Sequence, residues 1–110
     1  MEIKLKNKGV EIFQINDDVI YEEMDGQGYF FVSSTDKIII MNESSYFLWR
    51  VIQDRSRDSQ ELTVEEMVNM LQEKFDVSGI PVETLRNDIE LALFHFVNED
   101  FLRVVSPNVL

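Results

Sequence analysis

The apolar pattern of the chain changes its period at Asn42, and this change constrains the fold more than any other sequence feature. After Asn42, apolar residues recur at helical spacing. Before it, β-branched and aromatic residues are concentrated in three short segments typical of strands, namely Val19–Tyr21, Tyr29–Val32 and Lys37–Met41. The sequence therefore predicts an α+β fold, in which an N-terminal three-stranded antiparallel sheet is followed by a three-helix bundle.

Turn-forming residues separate the predicted strands. Asp25–Gly28 contains an aspartate and two glycines, which tolerate positive φ, and this predicts a hairpin turn. Ser33–Asp36 predicts a second turn of the same kind. The whole stretch from Val19 to Met41 is therefore predicted to be an antiparallel meander, and Val10–Ile15 is predicted to add a further short strand.

Capping residues mark where the predicted helices begin. Asn42 or Ser44 can cap the first helix. Thr63 and Glu66 have the spacing of a capping box at the start of the second helix. The stretch Asp54–Glu61 has no apolar residue and is predicted to be a solvated loop. The three helices are predicted at about Glu43–Gln53, Thr63–Asp76 and Val82–Glu99.

Length and composition indicate one soluble domain. At 110 residues, of which 45% are hydrophobic, the chain is expected to form a single domain over residues 1–110 around one core. Large apolar residues on the predicted helices are expected to supply much of that core: Phe47, Trp49, Leu71, Phe75, Ile89, Leu93 and Phe96.

Charge and cysteine content exclude several classes of function. Twenty-one acidic residues against ten basic ones give a net charge of −11, which repels a phosphate backbone, so no nucleic-acid partner is expected. The chain has no cysteine and hence no disulfide or thiolate metal site. Residues 1–8 lack the apolar core of a signal peptide, and no apolar run approaches the ~18 residues of a membrane span. We expect a cytoplasmic location and no membrane partner.

The chemistry-bearing residues do not form a catalytic set. His95 is the only histidine and has no cysteine or second histidine to complete a metal site. The carboxylate pairs Asp17–Asp18 and Glu22–Glu23 lie on predicted strands or turns, where neighbouring side chains diverge. Gly26 and Gly28 lie between strands, so they cannot place a phosphate on a helix N-terminus. We therefore expect no enzymatic activity and no cofactor, and the function is expected to lie in a surface.

Two features point to a binding surface. The predicted third helix carries apolar residues on more than one side, and two interpretations remain open: a central helix covered all round, or a helix that lines an open groove. The predicted strand Lys37–Met41 has one obvious partner, Tyr29–Val32, so its other edge should expose unpaired backbone groups. An open edge beside an apolar helix is the arrangement used for strand addition by peptides.

The residues from Ile38 to Leu102 also resemble a known family. Met41-Asn42-Glu43 at the sheet-to-helix junction, and Asp88 before Ile89, Leu93 and Phe96, are similar to motifs of coenzyme PQQ synthesis protein D and of the wider group of RiPP recognition elements. The resemblance extends from Val19 to Val104. The chain departs from the family pattern in the long stretch Asp54–Glu61 and at Asp100, where the family usually has glycine.

The resemblance implies a small winged-helix-like domain that binds the leader segment of a ribosomally made precursor peptide. It also implies a partner enzyme that modifies the peptide, such as a radical-SAM protein, a cyclodehydratase or a lasso-peptide protease. In the family the leader adds to the edge of the third strand and packs on the third helix, and Asp88 is expected to hold a basic side chain or a peptide N–H. The expected binding residues are Lys37, Ile38, Ile39, Ile40, Met41, Asp88, Leu91, Ala92 and His95.

Two rival functions belong to other classes. A winged-helix domain can present a recognition helix to DNA, but the chain between Asn87 and Asp100 has no Lys or Arg with which to read bases or phosphates. The second rival is a structural subunit whose open strand edge pairs with another copy to give a homodimer. Titration with a candidate leader peptide distinguishes peptide capture from pairing between copies.

Overall fold

The computed structural model describes residues 2–6, 10–58 and 61–106 of the chain. Within these residues, strands precede and follow three helices, which agrees with the predicted α+β class. The elements in chain order are β1 (Glu2–Lys6), β2 (Val10–Ile15), β3 (Val19–Met24), β4 (Gln27–Val32), β5 (Lys37–Met41), α1 (Glu43–Arg57), β6 (Leu62–Thr63), α2 (Val64–Lys74), α3 (Val82–Asn98) and β7 (Leu102–Ser106).

The predicted meander is confirmed. Strands β3, β4 and β5 form a three-stranded antiparallel sheet in that order. The turn between β3 and β4 consists of Asp25 and Gly26, whose φ angles of 55° and 81° are both positive. Two-residue turns of this kind match the twist of the strands they join, so the local sequence fixes this hairpin.

A second sheet, of strand order β6-β1-β2-β7, accompanies the meander. The predicted strand Val10–Ile15 is confirmed as β2, which pairs antiparallel with β1 and β7. The prediction of a single N-terminal sheet is therefore incomplete. In β1, the alternating residues Ile3 and Leu5 are buried between exposed charged neighbours, and β6 pairs with β1 in parallel. The two ends of the described chain meet in this sheet, because β7 is built from residues beyond α3.

Helix α1 is longer than predicted. Its last residues, 54–57, belong to the stretch that the sequence predicts to be a loop, so that prediction is wrong there. Ser56 is buried and its hydroxyl donates to the carbonyl of Gln53 at 2.7 Å, while Arg55 Nη1 lies 2.9 Å from Glu66 Oε2. These contacts hold a polar sequence in helical form. Residues 59–60 of the same stretch lie outside the described residues.

The capping box of α2 is confirmed by two reciprocal hydrogen bonds. The Glu66 N–H donates to Thr63 Oγ1 at 3.0 Å, and the Thr63 N–H donates to Glu66 Oε1 at 3.1 Å. Each bond satisfies a backbone donor that has no partner inside the helix. Helix α2 ends at Lys74, two residues before the predicted end, and α3 ends one residue before it.

Aromatic rings from the three-stranded sheet, from two helices and from the segment between α3 and β7 meet in the core around Trp49. The centroid of its ring lies 5.6 Å from the centroids of Phe30, Phe96 and Phe101. Of the predicted core, Trp49, Leu71, Ile89 and Phe96 are buried, whereas Phe47, Phe75 and Leu93 are only partly buried and pack against it. Phe30 and Phe101, which the prediction does not include, are fully buried.

A buried asparagine joins the N-terminal half of the chain to the end of α3. Asn16 Nδ2 donates to the carbonyl of Asp100 at 2.9 Å, and the Asn16 N–H donates to the carbonyl of Phe101 at 3.0 Å. Asp100 has a φ of 66°, a conformation that favours glycine, asparagine or aspartate, so aspartate can stand where the resembling family usually has glycine. Hydrogen bonds from Arg103 lower the pKa of the Asp100 carboxyl.

We expect Gly28→Ala to lower the free energy of unfolding by about 1–3 kcal/mol, because a Cβ at this position would overpack the core. It would lie 2.4 Å from Tyr46 Cδ1 and 2.5 Å from Phe30 Cε1. Gly79→Ala is the matched control, since no atom of the described residues lies within 4 Å of its Cβ position. Urea unfolding of both variants tests the expectation. Equal midpoints for the two would show that the meander and α1 are not packed as described.

Candidate functional site

One edge of the three-stranded sheet is open. Within residues 2–6, 10–58 and 61–106, β5 pairs with β4 and with no other strand. The edge of β5 that faces away from β4 therefore presents backbone N–H and C=O groups without a partner strand. This agrees with the edge expected from the sequence.

The register of the sheet determines which residues of β5 present these groups. The two-residue turn at Asp25 and Gly26 closes on the pair Met24–Gln27, whose backbone groups bond to each other. Bonded and non-bonded pairs alternate along antiparallel strands, so every second residue of β4 after Gln27 bonds to β3. The residues between them bond to β5.

The residues of β4 that bond to β5 are Gly28, Phe30 and Val32, which are paired with Met41, Ile39 and Lys37. It follows that Ile39 uses its N–H and C=O in the native sheet. Ile38 and Ile40 point theirs toward the open edge. An incoming strand would therefore bond to Ile38 and Ile40.

Helix α3 lies beside this edge, and two adjacent cavities lie between them. The strand-side cavity, of about 280 Å³, is lined by Ile39, Ile40, Met41, Asn42, Ser45, Ala92, His95, Phe96, Glu99 and Phe101. The helix-side cavity, of about 480 Å³, is lined by Asn42, Ser44, Ser45, Leu48, Leu71, Phe75, Val77, Ile80, Leu85, Asp88, Leu91, Ala92 and His95. Because they share four lining residues, we treat the two as one groove.

The groove is long enough for a short extended segment. Its lining residues along α3 run from Leu85 to Glu99, the residue that follows the end of the helix, which at 1.5 Å per residue corresponds to about 21 Å. An extended chain rises about 3.3 Å per residue, so about six residues can lie along the groove. A peptide antiparallel to β5 would have its N-terminal residues in the helix-side cavity and its C-terminal residues at the strand-side cavity.

The structure brings together most of the residues expected at the site. Ile39, Ile40 and Met41 line the strand-side cavity, Asp88 and Leu91 line the helix-side cavity, and Ala92 and His95 line both. Because side chains alternate along a strand, the side chain of Ile40, unlike those of Ile39 and Met41, points to the outer side of the sheet. Ala92 is 7% exposed and forms part of the groove floor. Lys37 and Ile38 line neither cavity, although they belong to the same edge strand.

Several lining residues are not expected from the sequence. Glu99, the residue that follows the end of α3, lies four positions after His95, so helical spacing could have identified it. Asn42 lies where both cavities meet, and its Oδ1 accepts hydrogen bonds from the Ser45 N–H at 2.9 Å and the Ser44 hydroxyl at 3.1 Å. Leu48, Leu71 and Phe75 come from α1 and α2, and only tertiary packing places them here.

The groove is apolar with an acidic bias. Its ionisable lining residues are Asp88, His95 and Glu99, and no Lys or Arg lines either cavity among the described residues. Electrostatics therefore favours a neutral or basic ligand over an acidic one. None of these residues belongs to a group of three or more His, Cys, Asp or Glu side chains that could hold a metal, and the described residues contain no such group.

The surplus apolar surface of α3 divides between two sides of the helix. Leu91 lines the groove, while Leu93, Phe94 and Val97 line a different cleft of about 280 Å³ against β1 and β2. Leu93 and Val97 also pack against the core, but Leu91 and Phe94 are exposed, so α3 is not covered all round. No helix of the described chain is both long and apolar enough to span a bilayer.

Comparisons with known proteins agree with this geometry. The family model of coenzyme PQQ synthesis protein D (PqqD) matches residues 20–102. A solved structure, TbiB1 in complex with the TbiA(beta) leader peptide, has a TM-score of 0.66 at 17% identity and covers 84% of this chain and 98% of that chain, which shows a shared fold. No curated protein sequence matches significantly. Because the family model spans most of the chain, from the meander to β7, the chain belongs to the coenzyme PQQ synthesis protein D family.

Proposed function

We propose that this domain captures the leader segment of a ribosomally made precursor peptide by strand addition and presents the peptide to a separate modifying enzyme. The observation that carries the proposal is the open edge of β5 beside an apolar groove, which is long enough for about six extended residues. Strand addition uses both features, because backbone hydrogen bonds supply affinity and side-chain pockets supply selectivity.

The register leads to a specific binding mode. The leader lies antiparallel to β5 and bonds to the backbone of Ile38 and Ile40. Its residue opposite Ile39 points to the inner face of the sheet and enters the strand-side cavity above Ala92 and Phe96. Residues further toward the leader's N-terminus pass into the helix-side cavity, where Asp88 accepts a hydrogen bond from a basic side chain or a peptide N–H.

Membership of the PqqD family and likeness to a protein solved with a leader peptide both support a peptide ligand. We infer that the domain is a winged-helix-like peptide-binding module without catalytic activity, that it forms one domain over residues 1–110, and that it acts in the cytoplasm. The partner is a peptide-modifying enzyme such as a radical-SAM protein, a cyclodehydratase or a lasso-peptide protease. The groove itself does not distinguish among these three.

Calorimetric titration with the precursor peptide encoded beside this protein's gene tests the proposal. We expect one-to-one binding, and amide chemical-shift changes concentrated in β5 and on the groove side of α3. A peptide with the leader removed is the control and should not bind. Chemical-shift changes confined to residues 54–61 would show that the peptide binds outside the groove. Light scattering over a concentration series, with and without the peptide, tests the rival in which the edge pairs with another copy.

We expect duplex DNA to give no sequence-specific complex in a gel-shift titration at moderate salt. A net charge of −11 opposes the counterion release that drives DNA binding, and α3 offers no cationic side chain between Asn87 and Asp100. The precursor peptide, tested in the same buffer, serves as the positive control. A specific complex in the nanomolar range would contradict the proposed function and favour the DNA-binding rival.

A further inference from the structure

The face of the three-stranded sheet that points away from the core is largely apolar, with Glu22 as an exception. Ile20, Ile38 and Ile40 are 65%, 72% and 60% exposed, although a solvent-facing side of an antiparallel sheet is usually polar. The register places Ile38 beside Phe31 and Phe31 beside Ile20, and it places Ile40 beside Tyr29. We call Ile38 and Ile40, the two residues of this face that lie on the edge strand β5, the outer face.

A peptide strand added at the open edge of β5 would extend this face of the sheet. Ile38 and Ile40 point their backbone groups outward, so a residue of an added strand directly opposite either of them forms a hydrogen-bonded pair with it. The two side chains of such a pair project from the same face of the sheet, with Cα atoms about 5.5 Å apart. Two residues of the peptide, separated by one, would therefore lie against Ile38 and Ile40.

We propose that the outer face is a second specificity surface for the same peptide, and that it selects β-branched or aromatic side chains at the two positions opposite Ile38 and Ile40. The inference rests on the proposed function and deepens it. The groove selects the residue opposite Ile39, and the outer face selects the residues on either side of it. The ligand is therefore an extended segment with at least three consecutive apolar residues, not one that alternates apolar and polar side chains.

Charge favours a peptide over a second copy of the chain as the occupant of this edge. Two copies of the chain, each with a net charge of −11, would repel each other at this edge. A neutral or basic peptide meets no such repulsion and fills the groove at the same time. Apolar cross-strand pairs on one face of a sheet attract each other, which provides the selectivity.

Selection from a displayed library of randomised twelve-residue peptides tests the inference whatever the sequence of the natural ligand. On the unaltered protein, we expect enriched peptides to carry three or more consecutive apolar residues and to shift the amides of β5. On the Ile40→Lys variant, one of the two outward positions should change from apolar to acidic or polar, while the inward position stays apolar.

Ile20→Lys is the matched control, because it makes the same substitution at a similarly exposed position on the same side of the sheet, but on β3, two strands from the open edge and outside the outer face. For one enriched peptide, Ile40→Lys should raise the Kd about fivefold, and Ile20→Lys should change it less than about twofold. Both variants change the net charge equally, so a general electrostatic effect would alter both values alike.

The outcomes of these experiments separate this inference from the proposed function. Peptides that bind β5 but show no preference at outward positions would overturn the second specificity surface and leave strand addition intact. Equal effects of Ile40→Lys and Ile20→Lys would also overturn it. Failure to enrich any peptide, or enrichment of peptides that leave the β5 amides unshifted, would contradict the proposed function itself, and self-association in light scattering would then favour pairing between copies.

Discussion

The Ala92→Trp variant is expected to bind the precursor peptide at least about 100-fold more weakly than the unaltered domain, which corresponds to about 2.7 kcal/mol of binding free energy. Ala92 lines both cavities, and its small side chain leaves the passage between them open. An indole at this position would occupy the space through which an extended peptide must pass, so neither cavity could be filled by a continuous strand.

The same variant is expected to remain folded. Ala92 is only 7% exposed, but it lies on the groove floor, so the indole can extend into the groove. Overpacking of the floor beside Ile89 and Phe96 is expected to cost about 1–3 kcal/mol, and the lower helix preference of Trp adds up to ~0.7 kcal/mol. Circular dichroism and thermal unfolding measure whether the fold is retained.

Asn98→Trp is the matched control, because it inserts the same residue into α3 at an exposed position that lines neither cavity. Its affinity should stay within about twofold of the unaltered domain. His95→Trp, at an exposed position that lines both cavities, is a second test if Ala92→Trp proves too unstable. Unchanged affinity in folded Ala92→Trp and His95→Trp variants would show that the groove is not the binding site.

Locally encoded features of the fold are predictable from the sequence. The turn at Asp25 and Gly26 and the capping box of Thr63 and Glu66 each involve residues within four positions of one another, and both are predicted and present. The change of period at Asn42 locates the junction between β5 and α1. At each of these places the conformational preference of a few neighbouring residues determines the structure.

Features that depend on distant partners are not predictable in the same way. Strand β1 is five residues long and pairs with β2 and with Leu62–Thr63, while β7 joins the sheet from beyond α3. Short charged segments such as Glu2–Lys6 become strands only when a partner is available. The helical form of residues 54–57 likewise depends on a contact from Arg55 to Glu66, outside the segment.

The candidate site also combines locally encoded features with features that depend on distant partners. Asp88, Ala92 and His95 are predictable because helical spacing places them on one side of α3. The groove residues on α1 and α2 are not predictable in this way, because tertiary packing determines which side of each helix faces the groove. The outward direction of the N–H groups in β5 is also undetermined by the sequence, because it depends on the register with β4.

That register makes proline substitutions in β5 informative. Ile40→Pro removes an N–H that points to the open edge, so the native sheet loses no hydrogen bond, and proline is tolerated at such positions of edge strands. Ile39→Pro removes an N–H that bonds to Phe30 in the centre of the sheet. We expect Ile39→Pro to lower the free energy of unfolding by about 2–3 kcal/mol, and Ile40→Pro to lower it by less than about 1 kcal/mol.

Ile40→Pro is expected to raise the Kd for the precursor peptide about tenfold relative to Ile40→Ala. Both variants lose the isoleucine side chain, so the difference between them isolates the N–H. The peptide carbonyl that accepted from this N–H is left unsatisfied within the complex, which costs about 1–3 kcal/mol. Calorimetry on the two variants, with urea unfolding to confirm that both are folded, measures the difference. Equal Kd values for Ile40→Pro and Ile40→Ala would show that the peptide does not bond to β5 at this residue, and that the ligand is held by the groove without strand addition.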